Sequence, residues 1–185
     1  MTKTQTVAPG TSGKIALRRF SEADASRIAD LANDVAVTRF TSRMPYPYAL
    51  SDAQAFLADI AARSEPGADE AFAITLDGLL AGCIAYEPAR LGDQVPADAL
   101  EIGYWLGRPY WGKGIATAAV RQLLVYLEET VPGWPIAAGV FETNPASMRV
   151  LQKTGFVEIG CGTCVTPARD VDSVPARLFL FQHKV

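Results

Sequence analysis

The 185-residue chain has one histidine, three cysteines and almost no excess charge, and each scarcity removes a class of function. With 17 basic against 20 acidic residues the net charge is −3, and no run of lysine and arginine occurs. Without a basic stripe, the phosphate-neutralising surface that general nucleic-acid affinity rests on is missing. No apolar run approaches the roughly 18 residues that a membrane-spanning helix needs. The start, Met1 to Gly13, is polar and lacks the apolar core of a secretory leader. It reads as a disordered tail ahead of one domain over residues 14–185, in a cytoplasmic protein.

The cysteines exclude as much as they offer. Cys161-Gly-Thr-Cys164 has the spacing of a redox pair or half a zinc site. Zinc would need two further ligands, and only Cys83 and His183 remain to supply them. A thioredoxin-like pair opens a helix, whereas Val165-Thr-Pro-Ala reads as loop or strand. The three cysteines are therefore expected to be reduced and unmetallated, with Cys83 packing in an apolar stretch.

What the chain does contain is concentrated in Glu101-Ile-Gly-Tyr-Trp-Leu-Gly-Arg-Pro-Tyr-Trp-Gly-Lys-Gly-Ile-Ala-Thr117. This stretch predicts a strand, a tight glycine loop and the first turn of a long helix. Ile115, Ala116, Ala119, Val120, Leu123, Leu124 and Leu127 recur at helical spacing as one apolar face. Gly112 and Gly114 allow backbone N–H groups to converge where the helix begins, and Lys113 adds a positive charge. Unpaired donors and the positive end of a helix dipole make such a loop a cradle for phosphate. Two phosphate-binding patterns compete. Gly107 to Lys113 fits G-x-x-x-x-G-K, but Gly114 stands where a P-loop needs Ser or Thr for magnesium. Trp111-Gly-Lys-Gly-Ile-Ala116 is instead a variant of R/Q-x-x-G-x-G/A.

A second segment separates the two. Phe141-Glu-Thr-Asn-Pro-Ala-Ser-Met-Arg-Val-Leu-Gln-Lys-Thr-Gly-Phe156 predicts a short helix with both ends marked. Asn144 suits the N-cap, Pro145 the first helical position, and Gly155 a left-handed C-terminal stop with Phe156 against Leu151. E-I-G-Y-W-L, Y-W-G-K-G and N-P-A-S-x-R-V-L-x-K-x-G-F, in this order, resemble the GNAT superfamily of N-acetyltransferases, specifically its RimJ/RimL branch. Leu17-Arg-Arg-Phe and Leu31-Ala-Asn-Asp extend the resemblance over most of the chain. Ala118 departs from it, since relatives commonly carry glutamate there.

The resemblance implies a mixed α/β fold, with a central, mostly antiparallel sheet, a splayed strand pair and flanking helices. It implies acetyl-CoA as co-substrate, no metal, and direct transfer to a primary amine in a ternary complex, the protein being a monomer or homodimer. The acceptor is either a protein or peptide N-terminus or a small amine. A non-catalytic acyl-CoA sensor is the other reading of the same motifs. Backbone around Tyr104, Trp105 and Leu106 would bind the pantetheine arm, and Trp111, Gly112, Lys113, Gly114, Ile115, Ala116 and Thr117 the pyrophosphate. Asn144 and Ser147 would meet the arm and sulfur, and Lys153 the coenzyme phosphates. Glu101 is the candidate base, directly or through water, or else an ordinary strand carboxylate. Ser147 is the candidate donor to the leaving sulfur. The loop Thr38–Tyr48, with Tyr46, would wall the acceptor site, and Glu87 would attract a cationic acceptor.

Secondary structure elsewhere is predicted from period and punctuation. Ile15–Arg19 reads as a strand and Ser21 as the start of a helix carrying Ile28, Leu31 and Val35. A capped helix begins at Ser51 and buries Phe56, Leu57 and Ile60. Phe72–Leu76 and Leu79–Tyr86 flank Asp77-Gly78 as a hairpin. Leu100–Leu106, Pro135–Val140, Phe156–Gly160 and Arg177–Gln182 complete the strands. Alternation places Glu101, Gly103 and Trp105 on one face of their strand and Ile102 and Tyr104 on the other.

Overall fold

A computed structural model of the protein describes residues 13–62, 69–166, 168 and 173–182. Apart from Gly13, the expected N-terminal tail lies outside them, as does His183. Seven strands form one sheet in the order β1-β2-β3-β4-β5-β7-β6. These are β1 Ile15–Arg18, β2 Glu70–Leu76, β3 Leu79–Pro88, β4 Leu100–Leu106, β5 Ile136–Phe141, β6 Phe156–Val165 and β7 Ser173–Phe181. Every neighbouring pair is antiparallel except β4 and β5. The hairpin falls where Asp77-Gly78 predicts it, with φ of 52° and 82° at the two turn residues. Those values suit the primed turn that matches strand twist.

Helices cover both faces. One carries α4 Ile115–Thr130 and α5 Pro145–Lys153. The buried stripe of α4, including Val120, Leu123 and Leu127, packs on Ile74, Ile84, Tyr86, Leu100 and Ile102. The other face holds α1 Ala25–Ala32, the single turn α2 Val35–Thr38 and α3 Leu50–Ala62. Ile28, Ala32, Ala53 and Leu57 join Ala73 and Leu80 there. Beside them, Leu91 and Val95 of the β3–β4 loop cover Ala137, Phe141, Cys164 and Leu178. At the sheet's edge Glu70 is buried and accepts hydrogen bonds from Tyr86 (2.8 Å) and Tyr126 (2.5 Å) while pairing with Arg19.

Three expectations need correction. The first helix does not reach Val35: it ends at Ala32, and Asp34 caps a separate turn by accepting from the Ala36 N–H at 2.9 Å. Asn33-Asp34 offers the backbone side-chain bonds that compete with helix continuation, and Val35 is left 54% exposed. The second helix begins at Leu50 rather than Ser51. Its buried positions are Ala53 and Leu57, with Phe56 packed behind them and Ile60 half-buried. Strand β6 runs five residues beyond Gly160, so Cys161 and Cys164 both lie within it. Residues three apart in a strand face opposite ways, and Cys161 is exposed while Cys164 is buried. Among the described residues no cluster suited to a metal ion occurs.

Candidate active site

Strands β4 and β5 pair only at Leu100–Ile136 and Glu101–Ala137, and they part beyond that point. The Leu100 N–H donates to Pro135 O at 2.9 Å, toward β5, whereas the Gly107 N–H donates to Ala81 O at 2.9 Å, toward β3. Backbone groups alternate along a strand, so Ile102, Tyr104 and Leu106 turn theirs into the gap and Trp105 turns its own toward β3. The Leu106 carbonyl is already engaged, accepting the indole N–H of Trp111 at 2.7 Å. Of the three residues expected to offer backbone to an arm, Tyr104 is thus the one whose groups face the gap without this internal partner. Trp105 contributes its wall instead.

The indole bond also folds the loop back over the end of β4. Arg108–Tyr110 form a short 3-10 turn, and Gly112 and Gly114 follow with φ of 72° and 75°. Both values lie in the left-handed region that a side chain disfavours, which explains two glycines around Lys113. Gly114 is the N-cap of α4, and no side chain caps that end. The first-turn amides therefore open toward the cleft, the arrangement that suits an anionic diphosphate.

That cleft has a volume of about 320 Å³ and runs from the glycine loop to the start of α5. Tyr104, Trp105, Leu106, Trp111, Gly112, Gly114, Ile115, Ala116, Thr117, Asn144, Ser147 and Lys153 all line it. Lys113 does not, although it sits within the loop. Val37 of α2, with Tyr110, Ala146, Arg149 and Val150, lines it as well without having been singled out from the sequence, and Phe40 and Thr41, from the loop expected to wall the acceptor site, line this same cleft. The helix pattern of α5 pointed to Arg149 and Val150. Nothing local pointed to Val37, which arrives from some 65 positions away.

At α5, Asn144 Oδ1 accepts the Ser147 N–H at 3.2 Å, so the predicted cap forms. Tyr104 crosses from β4 to the same place. Its hydroxyl lies 2.8 Å from Ser147 Oγ and 3.3 Å from the Ser147 carbonyl. Burial pushes the Tyr104 pKa up to about 12, a trend that the serine hydroxyl partly opposes, so the phenol holds its proton at neutral pH.

Glu101 stands on the opposite face of β4, at the last β4–β5 pair, and does not line the cleft. The β3–β4 register is continuous and sets Glu87 directly across from it. Arg43 pairs with Glu87 and lies within electrostatic range of Glu101. The Arg90 N–H approaches Glu101 Oε2 at 3.5 Å. Burial raises the Glu101 pKa most, the Arg90 N–H opposes it, Glu87 adds to it and Arg43 subtracts, leaving it above the ordinary carboxylate range. Cys164 faces the same space, its thiol pushed up to about 11 by burial and then by Glu101. Tyr46 is 57% exposed and belongs to neither group. The site residues thus fall into two sets, a cleft that reaches from the α4–α5 face to Trp105 and the α2 region, and a carboxylate pair with an arginine on the α1–α3 face, with the parting of β4 and β5 beside both.

Comparison with known proteins identifies the fold and the family. YdaF of Bacillus subtilis (strain 168), provisionally named a ribosomal N-acetyltransferase, is 39% identical over 84 residues. That match spans 45% of this chain and 44% of YdaF, under half the length of the relative. RimJ of Mycobacterium smegmatis in complex with CoA-disulfide superposes with a TM-score of 0.75 at 24% identity, covering 90% of this chain and 81% of RimJ. AAC(6')-Ib in complex with ribostamycin and coenzyme A gives 0.71 at 22%, covering 90% and 92%. Residues 14–157 match the family described as the acetyltransferase (GNAT) domain, and the chain belongs to that family.

Proposed function

We propose that the protein is an acetyl-CoA-dependent N-acetyltransferase whose acceptor is the N-terminal amine of a protein or peptide. The observation that carries the reading is the parting of β4 and β5 between an uncapped helix N-terminus on one side and a half-buried carboxylate on the other. Acetyl-CoA supplies an activated acyl group, a thioester whose thiolate can leave. The amides at Gly112 and Gly114 and the first turn of α4 fit its pyrophosphate, with Lys113 and Lys153 supplying charge. The inward-facing backbone of Tyr104 fits the arm as an added strand would.

Glu101 takes the proton that the amine must lose to become a nucleophile. A carboxylate whose pKa is raised toward neutrality is better matched to that task than an ordinary one. The amine nitrogen then bonds to the acyl carbon and sheds its second proton to water, the carbon–sulfur bond breaks and its electron pair goes to sulfur. Ser147 donates a hydrogen bond to that sulfur, and Asn144 holds the backbone from which Ser147 projects. Glu87 and the loop carrying Tyr46 stand on the acceptor side.

The likeness to AAC(6')-Ib, a protein seen with an aminoglycoside, raises the small-amine reading. Arg43 argues against a polycation, because it already neutralises Glu87 and would repel further positive charge beside Glu101. A peptide N-terminus brings a single charge. RimJ/RimL resemblance and the naming of YdaF support the same choice.

The test is mass spectrometry of a pooled library of free-N-terminus peptides after incubation with acetyl-CoA. Acetylation confined to certain first residues supports the reading. A silent library, in a sample where coenzyme binding is confirmed, removes the peptide acceptor and leaves small amines or a coenzyme sensor.

A further inference from the structure

Resting on that reading, we infer that Tyr104 is a positioning residue for the leaving group. Its hydroxyl donates to Ser147 Oγ and so directs the single Ser147 proton into the cleft. A serine hydroxyl has one proton and two lone pairs, so it can donate to only one partner at a time. If Ser147 gave that proton to Tyr104, it would have none for sulfur. Tyr104 has two acceptors within reach, Ser147 Oγ at 2.8 Å and the Ser147 carbonyl at 3.3 Å. The nearer one is the hydroxyl oxygen. Donation there leaves the Ser147 proton free to face the cleft that both side chains line.

A thiolate in the cleft strengthens this order. Ser147 then donates to a charged acceptor, which is the stronger bond, and a chain of hydrogen bonds polarises each member in the same sense. Tyr104 is well held for such a task, because its half-buried ring packs among the α4 and α5 side chains, with Ala116 and Met148 in the same cluster. Its phenol, held high by burial, keeps its own proton and acts by orienting Ser147 rather than by giving a proton away. No net proton moves along the pair. The sulfur leaves with the electron pair of the broken bond and is met by an already polarised hydroxyl.

The experiment needs no acceptor: the thiol pKa of bound CoA is read from thiolate ultraviolet absorbance across a pH series. Parent protein, Tyr104→Phe, Ser147→Ala and the double variant are compared, each first checked for CoA binding by calorimetry. In the parent the bound thiol should titrate about one pH unit below its value in either single variant, a tenfold difference in thiolate fraction at fixed pH. The double variant should match the singles, since both act through one hydrogen bond. Tyr104→Phe with a thiol pKa equal to the parent's overturns the inference, as do single effects that add. Absence of CoA binding to the parent would refute the proposed function instead, so the two failures are distinguishable.

Discussion

Gly112 and Gly133 make a matched pair for testing the phosphate cradle. Their φ values are 72° and 78°, and a Cβ built on either one meets nothing within 4 Å. They flank opposite ends of α4, one in the loop before it and the other in the turn after it. Alanine at either position pays the left-handed backbone cost without a steric clash, about 1–2 kcal/mol. For a chain of this size that is a fall in Tm of roughly 2–8 °C. The two variants should therefore melt alike.

They should not bind alike. At residue 112 the strain pulls φ away from its left-handed value, and even a partial rotation turns the loop's amides away from the position a diphosphate would occupy. Each hydrogen bond to a charged group contributes about 1.5–3 kcal/mol, and about 1.4 kcal/mol is tenfold in affinity. Gly112→Ala should raise the CoA Kd at least tenfold, whereas Gly133→Ala leaves it within a factor of two or so. Isothermal calorimetry with CoA and a thermal melt of each variant make the comparison. Equal Kd values for the two variants at equal Tm would refute the claim that left-handed glycine geometry builds the cradle. Equal weakening of both would assign the effect to general loosening.

Three other outcomes are expected. Glu101→Gln should lower kcat about 100-fold, within the usual range for a general base, with CoA affinity unchanged because the residue does not line the cleft. The base acts only when deprotonated and its pKa is raised, so the acid limb of kcat/KM should lie above the ordinary carboxylate range and vanish in the variant. A limb unchanged in Glu101→Gln would count against the assignment. At Glu70, burial pushes the pKa up, but hydrogen bonds from Tyr126, Arg19 and Tyr86 outweigh it and hold the carboxyl below its usual value. A lowered carboxylate pKa stabilises the fold above the unfolded value and loses that contribution as pH falls through the folded one. Urea melts should therefore show a loss of stability below about pH 4 in the parent that is smaller in Glu70→Gln, which is also about 2–3 kcal/mol less stable at pH 7. Iodoacetamide mass mapping of the native protein should find Cys161 modified first. Cys83 and Cys164 are buried, with thiols pushed to about 12 and about 11, and should react only on unfolding.

The parts of the site that could be read in advance are those built from neighbours in sequence. Gly112 and Gly114 reveal a backbone conformation, Asn144-Pro145 a helix start and Asp77-Gly78 a turn, and in each case cause and effect lie within a few residues. The hydroxyl contact between Tyr104 and Ser147 joins residues 43 apart, and it depends on how α5 lies against β4. No period or cap encodes that. Arg43 beside Glu87 and Glu101 depends likewise on where the irregular segment after α2 rests on the sheet. Val35 failed for a local reason: its apolar spacing continued the α1 pattern, but two Asx residues in succession ended the helix first.

Alternation along β4 predicts Glu101 and Tyr104 on opposite faces, and the unbroken β3–β4 register keeps them there. In a closed sheet that would separate a base from a leaving-group donor by the thickness of the strand. Here the pairing with β5 stops at Glu101–Ala137, so the space just beyond lies between the two strands and opens to both faces. In the proposed reaction, an acyl carbon held in that gap by strand-like contacts would meet the amine and Glu101 from one face and Ser147 from the other. Proton removal and sulfur departure then take place in separate surroundings, one acidic and one lined by neutral hydroxyls. A carboxylate kept away from the sulfur does not oppose the negative charge that develops there. The parting of two strands accordingly does what a bulge in β4 would otherwise have had to do, and it leaves the strand's hydrogen bonds to β3 intact.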